Sequence, residues 1–229
     1  YKNLIKDFRN FSSKEARIYL IEASDNILPM FDGELSTKAR HYLAKFGVIV
    51  RTNERVLDIT KQSVTTENDI IEADTIIWAA GNEASPLLKT LNTELDRQGR
   101  VLVKPDCSIK SHPNIFVIGD AAHFSINEIP LPGIAPVAIQ QGKYVSKIIR
   151  KNKKIRPDFV YFDKGIMATI GKSKAIAQTG PFKLTGMIAW LAWSLIHLLY
   201  LIGYRTKVLV LIEWVISYIF NKKGPRLIY

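Results

Sequence analysis

Cysteine is nearly absent. Cys107 is the only one in 229 residues, so an internal disulfide framework, a CxxC redox pair and a cysteine-based zinc cluster are all excluded. A Gly-rich loop of the GxGxxG type is also missing from residues 1–20, upstream of the first strand candidate, where a dinucleotide fold carries its phosphate loop. The chain opens without Met and without a charged-then-apolar leader. It begins on a helix-compatible segment, Tyr1–Phe11, with Leu4, Ile5, Phe8 and Phe11 apolar, and reads as part of something longer. Acidic residues are scarce at the far end: residues 143–229 hold 16 Lys and Arg against 3 Asp and Glu, whereas residues 1–142 hold 16 against 18. The net charge of +11 therefore belongs to the last third. There the basic residues flank two apolar runs, Leu184–Ile202 and Val208–Phe220. Nucleic-acid binders rarely carry such runs, and chains that lie on an anionic lipid surface do; no nucleic acid is expected as a partner.

What is present reads as alternating strands and helices. The organising stretch is Asn114–Phe124, NIFVIGDAAHF. Ile115–Ile118 has the length and composition of a buried parallel strand, ended by Gly119, Asp120 and the small Ala121 and Ala122. Open α/β sheets bind ligands beyond the carboxyl ends of their strands. An ionised Asp120 in that place only accepts hydrogen bonds, so it suits a hydroxyl donor on a sugar or ribityl chain. Gly119 lets a ligand come close. Further on, Pro136-Val-Ala-Ile-Gln-Gln-Gly142 starts a helix that reaches Lys151, with Pro preorganised at its first position. The amides of Val137, Ala138 and Ile139, at the positive end of the helix dipole, are expected to accept an anion. Ala138 and Gly142 are small enough to admit a flat ring.

Upstream, Arg17–Ile21 is a strand candidate followed by Glu22. An acidic residue at the tip of the second strand of a dinucleotide fold accepts hydrogen bonds from ribose hydroxyls and repels a 2′-phosphate. Ser36–Phe46 reads as a helix with Leu35, Ala39, Tyr42, Leu43 and Phe46 on one face, Ser36 as its N-cap and Gly47 just beyond its end. Val48–Val50 is the next strand. Val56–Thr60, Ser63–Thr66 and Asp69–Glu72 form a short antiparallel meander. Thr75–Trp78 is a further strand candidate, running into Ala79-Ala80-Gly81, where small residues let a flat ring or a pyrophosphate lie close. Asn82–Asp96 is a crossover and Gly99–Val103 a strand. Residues 159–171, FVYFDKGIMATIG, alternate aromatic and polar residues and turn at Lys164-Gly165. A lysine beside such a patch suits an anionic reduced flavin or quinol.

Leu184–Ile202 would reach about 28 Å as a helix, borderline for a hydrocarbon core of about 30 Å, and Val208–Phe220 about 20 Å. Trp190, Trp193, Tyr200, Trp214 and Tyr218 are the aromatics favoured at a bilayer interface. Lys183, Arg205, Lys207, Lys222, Lys223 and Arg226 bracket the runs, ready to meet lipid phosphates. Two helices lying in one leaflet are preferred over a spanning hairpin.

Taken together, Glu22, Ala79-Ala80-Gly81, NIFVIGDAA, LPGIAPVAIQQGKYV, YFDKGIMATIGK and the closing helix pair resemble type II NADH dehydrogenase, the FAD-containing NADH:quinone oxidoreductase of respiratory membranes. GDAA is shared by many flavoprotein relatives, whereas the second and third long blocks are far more specific. The resemblance implies an α/β fold, part of a Rossmann-like flavoprotein with two dinucleotide-binding domains and C-terminal membrane-associated helices. It divides the chain into the later part of an NADH domain (1–81), the returning half of an FAD domain (82–163) and a membrane-anchoring region (164–229). For the full-length form it implies hydride transfer from NADH to FAD and then two electrons to a membrane quinone; the fragment alone is expected to be inactive and to bind neither cofactor tightly. Proton pumping is not expected, because no chain of ionisable groups runs through the apolar helices.

By the same resemblance, Gly119, Asp120 and Ala121 would hold the flavin, with Asp120 on its ribityl chain and Ala138 and Ile139 against its ring. Glu22 would hold the NADH ribose, and Ala80 and Gly81 would line the nicotinamide path. Gln140, Gln141, Lys164 and Met167 would lie near the quinone. The pattern departs at Pro136, where relatives often carry Gln and where Pro has no side-chain donor. The implied location is the cytoplasmic face of the inner membrane, with a homodimer allowed. Two alternatives remain open from the residues: a related disulfide or sulfide reductase, against which the lone Cys107 speaks, and a membrane-bound scaffold without cofactor.

Overall fold

In chain order the strands and helices are β1 (Ile18–Ile21), α1 (Gly33–Lys45), β2 (Val48–Arg51), β3 (Val56–Ile59), β4 (Ser63–Thr66), β5 (Ile70–Glu72), β6 (Val101–Leu102), β7 (Ala122–His123), β8 (Ser125–Ile126), β9 (Ile129–Pro130), α2 (Ala135–Lys151), β10 (Ile166–Gly171), β11 (Lys174–Thr179), β12 (Phe182–Thr185), α3 (Gly186–Tyr200) and α4 (Tyr204–Phe220). This is a computed structural model, and it describes residues 16–151 and 155–220. The expected helix at Tyr1–Phe11, Asn221 and the basic residues Lys222, Lys223 and Arg226 lie outside the described residues. The fold is mixed α/β, as expected. The chain forms two compact units, residues 77–164 and the remainder.

In the unit formed by the two ends of the chain, β1 and β2 pair in parallel from Ile18↔Val48 to Ile21↔Arg51, connected through α1. Helix α1 starts a turn before the expected Ser36. Asp32 is the N-cap, its Oδ1 accepting from the Glu34 amide at 3.0 Å. Ser36 is instead buried, and its hydroxyl donates to the Leu28 carbonyl. The earlier start brings Leu35, expected on the apolar face, inside the helix itself, and Leu35, Ala39 and Tyr42 are buried at helical spacing. Gly47 follows with φ +85°, the left-handed backbone that ends helices cheaply at glycine. β3, β4 and β5 form the expected antiparallel meander.

The second half of this unit is not legible as strands in the sequence. β10, β11 and β12 form an antiparallel sheet in that order. The alternation of β10 is regular: Ile166, Ala168 and Ile170 pack on the α1 cluster of Ile27, Phe31, Leu35, Ala39 and Tyr42, and Met167 packs on the other side with Ala175, Ala177, Ala189 and Trp190. β11 is the middle strand with both faces covered. Ile176 is fully buried in the α1 cluster, while Ala175 and Ala177 face Ala189 of α3. Lys183 of β12 ties the sheet to the start of α1, reaching Asp32 at 3.0 Å and Glu34 at 3.1 Å.

The apolar run expected as one helix over Leu184–Ile202 is divided. Leu184 and Thr185 close β12, opposite Ala177 and Ile176, and Gly186 at φ +69° turns the chain into α3. At 1.5 Å per residue, α3 and α4 reach about 22 and 25 Å. Among the described residues no helix is long and apolar enough to cross a membrane. The two helices meet through aromatic side chains, Trp193 stacking on Trp214 with ring centroids 5.8 Å apart and Trp190 beside Tyr218 at 5.3 Å.

In the unit of residues 77–164, β6 and β7 pair in parallel through Val101↔Ala122 and Leu102↔His123. The expected strand at Ile115–Ile118 is not a regular strand. It is extended, with an isolated bridge between Phe116 and Ser108, and its polar backbone is matched to residues 107–109: the Ile109 amide donates to the Ile115 carbonyl and the Val117 amide to the Cys107 carbonyl. Thr75–Trp78 likewise carries no strand, and Ile77 and Trp78 are exposed. Apolar composition alone favours an extended chain, but a strand also needs a hydrogen-bonding neighbour along its edge. Two buried clusters sit in this unit. One is built on Val101, Ile109, Val117 and Ala122, the other on Cys107, Phe124, Val145 and Phe159.

Candidate functional site

The Ile118-Gly119-Asp120-Ala121 stretch leaves the second of these clusters and turns. Gly119–Ala121 form a single tight turn, with Gly119 at φ +62°, a conformation costly for a residue with a Cβ. Helix α2 runs beside it, and the contact is made of small groups. A Cβ added to Gly119 would stand 3.0 Å from the Cβ of Ala138. On the other side the Pro132-Gly133 loop approaches, and a Cβ on Gly133 would lie 3.4 Å from Asp120 Oδ1. The Asp120 side chain is exposed and makes no hydrogen bond or ion pair with any described residue. The result is an exposed carboxylate at the end of an extended segment, with its full acceptor capacity available, on a turn packed closely against Ala138 of α2 and the Pro132-Gly133 loop.

An exposed carboxylate with unused acceptors on a glycine turn beside a helix suits the hydroxyls of a flavin's ribityl chain, so the residues present fit the flavin expected there. One detail differs from expectation. The amides of Val137 and Ala138 both donate to the Ile134 carbonyl, at 3.0 and 3.3 Å, and α2 begins at Ala135 rather than Pro136. The helical ladder then reaches Ile139 from Ala135. The open set of three donors at Val137–Ile139 is therefore not available; the turn at Ile134 has already capped them.

Gln140 and Gln141 point their amides to different tasks. Gln141 is 1% exposed, and its Oε1 accepts from the Gly119 amide at 2.7 Å. Gln140 grips one residue of the segment leading to Lys164: its Nε2 donates to the Phe162 carbonyl at 2.9 Å, and its Oε1 accepts from the Phe162 amide at 3.0 Å. Lys164 is exposed at the end of that segment. Met167 belongs to the other unit, half-buried against Trp190 and the alanines of β11 and α3. Gly119, Asp120, Ala121, Ala138 and Gln141 are thus brought together. Ile139 lies on the same helix and is exposed. Ala80 and Gly81 stand exposed outside any strand or helix, with Gly81 at φ +80°. Glu22 follows β1 in the other unit, its amide donating to the Arg51 carbonyl and its Oε1 accepting from the Ser24 amide at 2.9 Å. In the sequence Gly133 is only part of a tight loop; its place beside Asp120 has no local signal.

Two carboxylates fix turns elsewhere in the unit of residues 77–164. Burial pulls the pKa of Asp96 upward, but hydrogen bonds from His123 Nδ1 at 2.8 Å, from the Arg100 amide and guanidinium and from the Gln98 amide outweigh it and hold it well below the usual carboxylate range. Asp106 is also lowered, burial again being outweighed by the Ser108 hydroxyl and amide and by Arg156 at 3.1 Å. Cys107 is fully buried, and burial, reinforced by Asp106, pushes its thiol up to about 12.

The helix-linked parallel strand pair of one unit and, in the other, the Gly-Asp turn set against a helix with an exposed acceptor are features of the Rossmann-like nucleotide-cofactor class. The chain belongs to the pyridine nucleotide-disulphide oxidoreductase family, which it matches over residues 8–142; residues 164–223 match the NDH2 C-terminal domain, which places it on the type II NADH dehydrogenase branch. The type II NADH:quinone oxidoreductase Ndh of Mycobacterium tuberculosis is 38% identical over 95% of this chain and 49% of its own length. The enzyme of the same description from Staphylococcus haemolyticus is 34% identical over 75% of this chain and 44% of its own. The chain spans about half the length of the curated relatives it matches. In structure it resembles NDH2 from Plasmodium falciparum in complex with NADH, with a TM-score of 0.86 over 98% of this chain and 62% of that one, at 17% identity. The family is FAD-dependent and binds NADH, and type II NADH dehydrogenases are membrane-associated.

Proposed function

We propose that this protein takes part in NADH:quinone oxidoreduction, with FAD and NADH as cofactors and a membrane quinone as acceptor, and without pumping protons. The observation that carries the reading is the exposed Asp120 carboxylate, unpaired among the described residues, on the Gly119 turn packed against Ala138, within a chain related over nearly its whole length to type II NADH:quinone oxidoreductases. FAD, when bound, supplies hydride acceptance from NADH and two-electron delivery to the quinone.

The chain's own residues bind and orient. Asp120 would accept hydrogen bonds from the ribityl hydroxyls, Gly119 and Ala121 would allow close approach, and Ala138 and Ile139 would hold the ring. Glu22 retains one carboxylate oxygen beyond its bond to Ser24, and that oxygen accepts from the NADH ribose and opposes a 2′-phosphate. Ala80 and Gly81 leave room on the nicotinamide path. Gln140 holds the segment that presents Lys164, and Lys164 and Met167 lie on the quinone side; Gln141 serves the flavin side. In this reading residues 1–81, 82–163 and 164–229 are the NADH, FAD and membrane portions. The exposed apolar face of α3 and α4 rests on anionic lipid at the cytoplasmic face of the inner membrane, and two copies can associate.

The test is direct. The full-length protein that contains this chain is loaded with FAD and mixed with NADH and a short-chain quinone, and NADH oxidation is followed. Failure to oxidise NADH, with flavin bound, removes the proposal. A thiol-based reductase is the less favoured reading because Cys107 is buried and its thiol is held protonated.

A further inference from the structure

We infer that Gln141 is a positioning residue for flavin binding, setting the pose of Asp120 through the Gly119 peptide. The inference rests on the flavin reading of Asp120 proposed above, and goes beyond it by assigning how the carboxylate is held.

Gln141 is among the largest side chains in the described residues to be fully buried, and it is polar. Burying an amide costs free energy unless its hydrogen-bonding capacity is used. Gln141 uses its carbonyl on one specific donor, the Gly119 amide, 2.7 Å away and 22 residues earlier in the chain. That donor matters because Gly119 is where the extended segment Ile115–Ile118 ends and the backbone turns through φ +62°. Rotation about the Gly119 backbone dihedrals swings Asp120 as a rigid arm, and glycine imposes little restraint of its own. Two features remove this freedom. The Gln141 carbonyl holds the peptide nitrogen, and Ala138 occupies the space into which a Cβ on Gly119 would project.

Ala138 and Gln141 are three residues apart and so share a face of α2. One helical turn thus supplies both the steric wall and the hydrogen bond. Asp120 itself needs no protein partner, which leaves both of its oxygens for ligand. The neighbouring Gln140 faces Phe162 instead, so the two adjacent glutamines are not interchangeable.

The experiment is a double-mutant cycle on FAD affinity, read by flavin fluorescence on the stripped and reloaded full-length protein. Asp120→Asn is expected to weaken FAD about thirtyfold, through loss of a charge-assisted bond. Gln141→Met, of similar volume and without an acceptor, is expected to weaken it about tenfold. The pair together should fall within about threefold of Asp120→Asn alone, because the pose set by Gln141 matters little once the carboxylate is gone. Independent, multiplicative losses would mean that Gln141 acts on general stability, and would overturn the assignment. An unchanged FAD affinity in Asp120→Asn would instead remove the flavin reading itself.

A second measurement needs no variant. Hydrogen exchange at the Gly119 amide of the wild-type protein should be slow with flavin bound and remain slow after flavin is stripped. Protection that vanishes with the flavin would show that Gln141 does not hold this peptide, and would overturn the inference whatever the variants do.

Discussion

At the scale of single residues, the site depends on what small side chains keep out. Gly119→Ala places a Cβ 3.0 Å from that of Ala138 and asks a residue with a side chain to adopt φ +62°. The expected cost is about 1–2 kcal/mol of stability, seen as a lower melting temperature, together with weaker FAD binding. Glu22 carries a different prediction. Glu22→Gln removes the charge that opposes a 2′-phosphate, so the ratio of kcat/KM for NADPH over NADH should rise about tenfold, equivalent to about 1.4 kcal/mol. Steady-state kinetics with both nucleotides decide it, and an unchanged ratio removes Glu22 from the nucleotide site. Glu22, Gly119 and Asp120 are legible as local patterns, each an acid or glycine after an apolar run. The bond from Gly119 to Gln141 is not, because nothing in either local sequence specifies a partner 22 positions away.

At the scale of elements, the helices are readable and the sheet of β10–β12 is not. α1 and α2 each present apolar residues at a helical period, and burial follows that period. β11 does not alternate, because the α1 side takes Ile176 while the α3 side takes Ala175 and Ala177, so three consecutive residues are buried. A strand covered on both faces loses its period-two signal. Ile176→Ala should therefore cost about 2–5 kcal/mol, measured by denaturant unfolding, although Ile176 stands in a stretch without an apolar run.

Two turns of the unit of residues 77–164 respond to acid. Asp96 and Asp106 have pKa values below the ordinary 3.8 in the folded protein. Groups shifted down stabilise the fold above the unfolded-state pKa, and that contribution is lost as the pH falls from there through the lower folded value. Stability measured by thermal melting should therefore be flat from pH 7 to about 5 and decline below about 4. Asp96→Asn should flatten that decline and lower the plateau.

At the scale of the whole molecule, the uneven charge and the exposed apolar helices act together. Ile188, Leu191, Leu195 and Leu199 form an exposed stripe on α3, spaced by three and four residues. α4 adds Leu209, Leu211, Ile212, Val215 and Ile216. An exposed apolar surface of this kind marks an interaction site, and the basic residues around it favour anionic lipid. Co-sedimentation with vesicles should be strong for anionic lipid, weak for zwitterionic lipid and reduced by salt. Leu195→Gln with Leu199→Gln should cost about 3 kcal/mol of membrane partitioning, more than a hundredfold. Binding unaffected by either change would remove the lipid surface from the reading.

The amino-acid sequence by itself determined the helices, the parallel α/β character, the charge asymmetry and the acidic residues placed after apolar runs. These depend on periodicity and composition within a dozen or so residues, which local physics decides. Only the tertiary structure decided that Ile115–Ile118 is extended without a ladder, that Ile134 already caps the start of α2, and that Gln141 turns inward to Gly119 while Gln140 holds Phe162. The Ile134 cap is settled by the local turn into α2, and the others by which backbone group farther along the chain comes within hydrogen-bonding distance once the elements pack.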